Sequence, residues 1–379
     1  MIHLQEEFFK REIEKPFPSF SIIYETENLS SVELDNIYKS LASLEKQDIS
    51  PESANEFLIV DGGNAPKEVI KQLCSNYSWI KVISIPGISY HAAKMKGATL
   101  ATGEFVIFCD SDCVYEPHWL RNILTPLIEH PEINIIAGET TTPIRNPYEL
   151  AIAMNYLFRR FSGKETPYET NHYHLNGVAF RRTFLLQNPI PIDLPLYRGH
   201  CKVHTYDLCE IKGYKIWKHP QARAIHEPPT LSFISWRYLL YGRDDVISKR
   251  TKFLLTQQQD NLSSLMENKT TAQIISAVIR KILEPLKPKQ ALEVFQENPS
   301  RLIMLPLAIP FILWFRFLFS IGRIIAYIQP DLLLDMYEKN RNKIALKTLL
   351  SSSPCLCDSV RDKNETTICF RYYPRSKGL

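Results

Sequence analysis

The sequence lacks the short motifs that identify several large enzyme classes. No GxGxxG follows the first predicted strand, and neither GxxxxGKS nor GxxxxGKT occurs, so a nicotinamide-type dinucleotide enzyme and a P-loop NTPase are both disfavoured. The eight cysteines form no paired CxxC knuckles, which disfavours a zinc ribbon. The opening stretch, MIHLQEEFFKREIEKPF, contains no apolar signal-peptide core. We therefore expect reduced thiols in a protein that faces the cytoplasm.

A surplus of charge of one sign is also missing. The 45 Lys and Arg residues nearly balance the 41 Asp and Glu residues, for a net charge of +4. Because phosphate neutralisation needs a domain-wide basic surplus, we expect no nucleic-acid partner. The hydrophobic share of 45% excludes disorder throughout. The length of 379 residues predicts one large domain with appendages, or two to three ordinary domains.

Strand and helix patterns alternate over the first 120 residues. Such alternation predicts right-handed βαβ units and a parallel sheet. The fold class that we expect is therefore α/β, with a Rossmann-like, mainly parallel central sheet flanked by helices. The predicted strands are 20–24, 57–60, 79–85, 105–109 and 133–137.

One hydrophobic segment, residues 302–327, is long enough to cross a membrane, which takes about 20 mostly apolar residues. Its first 14 residues carry no charge, but Arg316 and Arg323 follow, and Pro306 and Pro310 weaken a straight helix. Two interpretations stay open: a membrane-embedded or interfacial helix, and a helix packed inside the protein. The arginines and the basic stretch before the segment suit an anionic membrane face.

Acidic residues follow three of the predicted strands. Glu25 and Glu27 follow the first, Asp61 the second, and Asp110 and Asp112 the fourth. Ligands of open α/β sheets bind beyond the carboxyl ends of the strands, and clustered carboxylates there need a cation or donors to offset their repulsion. Mg²⁺ or Mn²⁺ with a bound diphosphate would suit such a site. The alternative is that each aspartate caps a turn or a helix, which stays open above all for Asp61.

Five stretches together resemble the family 2 glycosyltransferases of the GT-A fold, over about residues 18–230. The order Ala-x-x-x-Gly, Ala-Thr-Gly-Glu, Asp-x-Asp is the specific part of the resemblance. More narrowly, the chain is similar to a bacterial, often cyanobacterial, branch with membrane-associated C-terminal segments. The stretches are SIIYETEN (21–28), FLIVDGG (57–63), AAKMKGATLATGEFVIFCDSDC (92–113), NGVAFRR (176–182) and GYKIWKHPQARAIH (213–226).

The resemblance implies a nucleotide-diphosphate sugar as the donor, with UDP as the carrier on family grounds. Glu25, Glu27 and Asp61 would contact the nucleoside, and Gly97 would face the nucleotide.

The resemblance further implies a divalent metal, Mn²⁺ or Mg²⁺. Asp110 and Asp112 would form the metal-binding DxD pair, with Asp112 most directly on the metal and Asp110 towards the ribose. His226 matches a late histidine that completes the metal site in many such enzymes; taken alone, a histidine is more often structural.

The general base of the expected inverting displacement is not identified by the family pattern. The family supplies it from an acidic pair before a Gly-Tyr, but this sequence has YRGHCK at 197–202 and no carboxylate until Asp207. Either His200 or Asp207 could accept the proton from the acceptor hydroxyl, or an efficient base could be missing.

The resemblance thus implies a metal-dependent, inverting glycosyltransferase of the hexosyltransferase type at the cytoplasmic face of the cell membrane. Its acceptor would be a lipid-linked or polysaccharide hydroxyl. The alternative is a non-catalytic, nucleotide-sugar-binding scaffold subunit of a polysaccharide assembly complex. The predicted segments are an N-terminal lead (1–17), a donor-binding half (18–115), an acceptor-binding half (116–235), a basic helical extension (236–300), a hydrophobic membrane-associated helix (301–328) and a loosely ordered tail (329–379).

Overall fold

The computed structural model describes residues 18–27, 35–155, 158–260 and 288–340. Within them the strands are β1 (Phe20–Glu25), β2 (Glu56–Asp61), β3 (Ile80–Ser84), β4 (Phe105–Cys109), β5 (Cys113–Tyr115), β6 (Ile135–Thr141), β7 (Tyr168–Thr170), β8 (Gly177–Arg181) and β9 (Ile216–His226). The helices are α1 (Asp35–Glu45), α2 (Lys67–Asn76), α3 (Tyr90–Leu100), α4 (Trp119–Glu129), α5 (Pro147–Asn155), α6 (Arg182–Gln187), α7 (His200–Tyr206), α8 (Leu231–Asp260), α9 (Pro288–Glu297) and α10 (Leu305–Ile328). A π-helical turn, Asp207–Ile211, continues α7, 3₁₀ turns cover Pro51–Ser53 and Pro299–Met304, and residues 332–340 are also helical.

The strands form one mixed sheet in the order β3-β2-β1-β4-β8-β6-β9-β5, and β7 pairs with β9 at its side. The strands β1 to β4 are mutually parallel. In the second half of the sheet, β8 runs antiparallel to β4 and β6, and β5 runs antiparallel to β9. The predicted α/β fold, with a central sheet flanked by helices, is confirmed. Because β1, β2 and β4 are parallel, the residues that follow them meet at one edge.

The strands β1 and β4 are buried on both faces, which places them in the middle of the molecule. All five residues of β4, FVIFC, are buried. Ile22 and Ile107 face the side covered by α1, α2 and α4, while Ile23 and Phe108 face the side that contains α3 and α6. A strand that is buried on both faces reads as a continuous apolar run, and this is the signal that predicted 105–109 correctly.

Residues 116–235, the predicted acceptor-binding half, contain four of the nine strands in the described part of the chain: β6, β7, β8 and β9. The longest of these strands is β9, with 11 residues, which carries the polar sequence IWKHPQARAIH. A β-bulge interrupts its pairing with β6 between Gly138 and Glu139. The predicted N-terminal lead and residues 341–379 of the predicted loose tail lie outside the described residues.

The apolar helix α10 packs along α8 and α5. Gly242 of α8 and Gly322 of α10 face each other closely: a Cβ atom at Gly322 would lie 2.0 Å from the Leu239 carbonyl oxygen. The Phe315 ring stacks on Tyr238 at 4.8 Å between centroids. The opposite side of α10 is exposed, with Leu307 at 67% and Ile328 at 74%. Residues 299–328 form the one stretch in the described chain that is long and apolar enough to cross a membrane.

Substitution of Gly322 by alanine should destabilise the protein although alanine is the better helix former. The new methyl group would collide with backbone rather than with a movable side chain, and overpacking of this kind costs about 1–3 kcal/mol. The measurement is chemical denaturation of Gly322→Ala beside Gly177→Ala, whose Cβ would meet nothing nearer than 3.6 Å. Equal stability of the two variants would contradict the backbone contact between α8 and α10.

Candidate functional site

The structure brings the five acidic residues predicted at the strand ends to one edge of the sheet, and all five are buried. Burying several carboxylates together is costly unless each one is paired or hydrogen-bonded. Their partners therefore define what the site can do. The five are Glu25, Glu27, Asp61, Asp110 and Asp112.

Asp61 stabilises the turn that follows β2. Its Oδ1 atom accepts a hydrogen bond from the Thr26 hydroxyl at 2.7 Å and another from the Gly63 amide at 3.1 Å. Gly63 has a φ of 81°, a conformation that favours glycine. The turn-capping interpretation of Asp61 thus has direct contacts, and its contact with a nucleoside stays a prediction.

Glu27 connects three separate parts of the chain. Its Oε2 accepts the Tyr90 amide at the beginning of α3, at 2.7 Å. Its Oε1 lies 3.3 Å from Nη2 of Arg198 and also accepts the hydroxyl of Tyr337. The neighbouring Glu25 accepts the Glu27 amide through Oε2, while its buried Oε1 has no hydrogen-bond partner among the described residues. Burial and the nearby Asp110 raise the pKa of Glu25 to about 8.

Asp110 is neutralised by a lysine inside the protein. Lys94 of α3 is fully buried, and its Nζ lies 2.8 Å from Oδ1 of Asp110. The Tyr90 hydroxyl donates to both oxygens of the same carboxylate, at 3.0 and 2.8 Å. The α3 sequence AAKMKG therefore supplies, through Lys94, the counter-charge for the first aspartate of DSD.

Asp112, Cys113 and His226 form a buried cluster whose potential metal-ligand atoms all lie within 4.8 Å of one another. Antiparallel pairing of β5 with β9 sets Cys113 opposite His226. The Nε2 atom of His226 lies 3.1 Å from Oδ2 of Asp112. Its Nδ1 lies 2.7 Å from the Glu227 carbonyl oxygen, which can only accept, so Nδ1 carries a proton. Such a bond on one ring nitrogen is what orients metal-binding histidines.

The pKa shifts within the cluster distinguish Asp112 and His226 from Cys113. Burial alone would lower the pKa of His226, but the Asp112 carboxylate outweighs it and raises that pKa. In the same way His226 lowers the pKa of Asp112 against the effect of burial. Burial and Asp112 raise the pKa of Cys113 well above its usual range, which keeps the thiol protonated. Asp112 and His226 are thus the two groups that fit a divalent cation.

A cavity opens beside this cluster, and its wall carries both acidic and basic groups. Arg198 lies on the wall with its guanidinium 3.7 Å from the centroid of the Tyr90 ring. Arg237 lies on the wall as well and donates from Nε to the Tyr197 hydroxyl at 3.2 Å. The wall includes Tyr90, Asp110, Asn176, Arg198, His226 and Arg237.

The two predicted bases, His200 and Asp207, and the predicted nucleotide-facing Gly97 do not line the cavity. His200 is buried behind His91, with the ring centroids 4.1 Å apart, and it is not among the residues of the cavity wall. Asp207 forms an ion pair with Lys212 at 2.7 Å and also lies off the wall. Gly97 faces β1: a Cβ there would lie 2.4 Å from Cγ2 of Ile23. The catalytic role of His200 or Asp207, and the nucleotide contact of Gly97, stay predictions.

Sequence reasoning missed four residues that shape the site. Lys94 stands inside a recognised motif, so its position next to the first aspartate could have been noticed. Arg198 stands where the family has its acidic pair. Arg237 and Tyr337 come from beyond the region of resemblance, and no local pattern links them to the strand ends.

Residues 31–188 match the family model described as "Glycosyl transferase family 2". No curated protein sequence gives a match. Two similar solved structures are GalNAc-T7 with UDP, GalNAc and Mn²⁺, and the mannosyltransferase PcManGT from Pyrobaculum calidifontis with GDP-Man and Mn²⁺. The first has a TM-score of 0.44 and 14% identity over 57% of this chain, and only 44% of the GalNAc-T7 chain is spanned. The second has a TM-score of 0.44 and 16% identity over 92% of this chain and 95% of its own.

Acid should destabilise the protein through its buried histidines. Burial lowers the pKa of His200 to about 4. Between pH 6.5 and 4 this imidazole is therefore protonated in the unfolded chain but neutral in the folded protein. The free energy of unfolding should decrease as the pH is lowered through that window, by up to about 1.4 kcal/mol per pH unit for this group. Urea denaturation between pH 7 and 5 measures the slope.

His200→Asn should reduce that slope, whereas His118→Asn, which changes a side chain that is 72% exposed, should leave it as in the wild type. A slope unaltered by His200→Asn would contradict the buried, neutral imidazole.

Proposed function

We propose, from the match of residues 31–188 to the family model described as "Glycosyl transferase family 2", that this protein moves a sugar from a nucleotide diphosphate to a hydroxyl acceptor with inversion at the anomeric carbon. The donor that we propose is a UDP-sugar. The acceptor is a lipid-linked glycan or a growing polysaccharide.

The observation that carries the proposal is the buried pair of Asp112 and His226 beside a cavity with basic walls. A carboxylate oxygen and an imidazole nitrogen together suit Mn²⁺ better than Mg²⁺, which prefers oxygen ligands throughout. Asp112 and His226 would hold the cation, and Mn²⁺ is our choice, with Mg²⁺ as the alternative. When bound, such a cation neutralises the diphosphate leaving group as a Lewis acid.

The positive side chains of the wall support a diphosphate as the ligand. Arg198 and Arg237 both line the cavity, and an arginine pairs well with phosphate oxygens because its donors form a planar fork. Lys94 already neutralises Asp110 inside the protein, so the two arginines are the cations that would face the donor. Asp110 would contact the ribose, as the resemblance implies.

A specific observation also keeps the scaffold alternative. Neither His200 nor Asp207 lies on the cavity wall, so the proton acceptor that the inverting reaction requires has no assigned side chain there. A protein that binds a sugar nucleotide but transfers slowly would have this arrangement.

We further propose that the exposed face of α10 lies in the plane of a membrane, on its cytoplasmic side. The exposed apolar residues continue past the helix into 332–340, and they include Ile303, Leu307, Trp314, Phe317, Ile328, Leu332 and Met336. A spanning orientation would drag α5 and α8 into the lipid, because both pack along α10. The pair of Arg323 with Asp245 of α8, 3.6 Å apart, also argues against it. An in-plane helix would bury its apolar face at the headgroup boundary.

The donor site is tested by calorimetric titration of UDP, GDP and CDP into the full chain, with Mn²⁺ and with a chelator. We expect one nucleotide to bind only with metal, and Asp112→Asn or His226→Asn to weaken binding by about 100-fold or more, since each removes one ligand. Asp193→Asn, an exposed aspartate away from the cavity, is the matched control.

Metal-linked binding together with donor hydrolysis would support the transferase, and binding without turnover would favour the scaffold. If no nucleotide binds in a metal-dependent way, both are wrong.

The membrane surface is tested by flotation of the full chain with phosphatidylglycerol vesicles. Leu307→Glu or Phe317→Glu should reduce the bound fraction about ten-fold, because a buried large apolar side chain contributes about 1.5–3 kcal/mol. Leu100→Glu changes an exposed leucine of α3 and should bind as the wild type does. Alkaline carbonate should release the bound protein; retention would contradict the in-plane orientation.

A further inference from the structure

We infer that the segment after α10 is a working part of the donor site, and that Tyr337 positions the Glu27–Arg198 pair for the diphosphate. The inference rests on the proposed function, since it concerns the affinity of the same site for its donor. It assigns a role to a residue from outside the matched glycosyltransferase region, residues 31–188.

Tyr337 reaches the strand-end edge from the far end of the described chain. Its hydroxyl donates to Oε1 of Glu27, a contact between residues 310 positions apart. Its ring packs edge-on against Tyr197, with 4.8 Å between centroids. Leu333 and Leu334 are buried in the same small cluster with Leu240 of α8. Four side chains thus pack around the Tyr337 ring: Tyr197, Leu240, Leu333 and Leu334.

Arg198 shares its acceptor with Tyr337. The Oε1 atom of Glu27 lies 3.3 Å from Nη2 of Arg198, and the same oxygen accepts the tyrosine hydroxyl. The guanidinium carbon lies 3.7 Å from the centroid of the Tyr90 ring on the cavity wall. Since the carboxylate of Glu27 sets one end of the guanidinium, an additional donor on that carboxylate constrains where the remaining N–H groups of Arg198 face.

Tyr337 is also linked to Arg237, the second arginine of the wall, through Tyr197. The Tyr197 ring, on which Tyr337 packs, carries the hydroxyl that accepts from Nε of Arg237. One aromatic residue therefore contacts the supports of both arginines that would meet the diphosphate.

The backbone around Arg198 is held by α8, which also contacts the end of α10. Asp244 of α8 accepts the amides of Tyr197, Arg198 and Gly199, with distances of 2.7–3.0 Å. The adjacent Arg243 donates to the carbonyl oxygens of Pro195 and Pro330, at 2.8 and 2.5 Å. A single turn of α8 thus ties the loop that carries Arg198 to the end of α10.

The test is donor binding by Tyr337→Phe, which removes the hydroxyl and keeps the ring on Tyr197. Full-chain wild type and variant are titrated with the nucleoside diphosphate in the presence of Mn²⁺, and donor KM and kcat are measured where turnover occurs. We expect the Kd and KM for the donor to rise about ten-fold with kcat nearly unchanged, because a positioned arginine acts on donor binding. Tyr327→Phe, which removes the hydroxyl of an exposed tyrosine on α10, is the control and should bind as the wild type does.

A double-mutant cycle separates positioning from a general loss of structure. Glu27→Gln and Tyr337→Phe should each weaken donor binding. The double variant should bind only slightly less tightly than the single variant with the lower affinity, since both substitutions act through one contact. Additive losses, or unchanged binding by Tyr337→Phe, would overturn the inference. Tighter binding would overturn it too, because Tyr337 would then obstruct the donor.

The two levels of proposal fail in different ways. If the wild type binds no nucleotide with metal, the proposed function itself is wrong. If the wild type binds one and Tyr337→Phe binds it equally well, only the inference on Tyr337 is wrong.

Discussion

The burial of five carboxylates at one edge of a sheet is the constraint on which the rest of the structure depends. Each such group must find a counter-charge or a hydrogen-bond donor, since an uncompensated buried charge is strongly destabilising. Lys94 inside α3 serves Asp110, and His226 at the end of β9 serves Asp112. The second half of the sheet therefore completes the charge balance of the first half through its strand β9.

The segments that follow β9 also contribute partners to the buried carboxylates. Glu27 is served by Arg198 and Tyr337, and the loop of Arg198 is held in turn by Asp244 of α8. The long buried side chain of Arg243 makes the connection to α10. An apolar helix that one would assign to the membrane alone is thus, on its inner face, part of the scaffold of the site.

The sequence predicted the first half of the fold well because its strands are buried on both faces and its helices have one apolar side. The positions of Asp110, Asp112 and His226 at one edge of the sheet could be predicted because a specific motif order fixes them, whereas their roles stay predictions. Arg198 and Tyr337 could not, because their contacts with Glu27 depend on segments that are far apart in the chain, and neither residue lies in an informative local pattern.

The hydrophobic segment 302–327 illustrates another limit of the sequence. Its average hydropathy allowed a packed helix or a membrane helix, whereas the structure gives one packed face and one exposed face. An average over a window cannot separate the faces when both are apolar. In this helix pair, close packing depends on two glycines, Gly242 of α8 and Gly322 of α10. Because they lie far apart in the chain, they form no motif that a sequence reading could use.

The contact between Glu27 and Tyr337 has a consequence for the order in which the protein is made. Glu27 is synthesised early, and Tyr337 is added 310 residues later. The strand-end carboxylates can therefore come together while later residues are still being synthesised, but the contact of Glu27 with Tyr337 forms only once residues 332–340 have been made. The edge that holds Glu27 is thus completed after α10 has been synthesised.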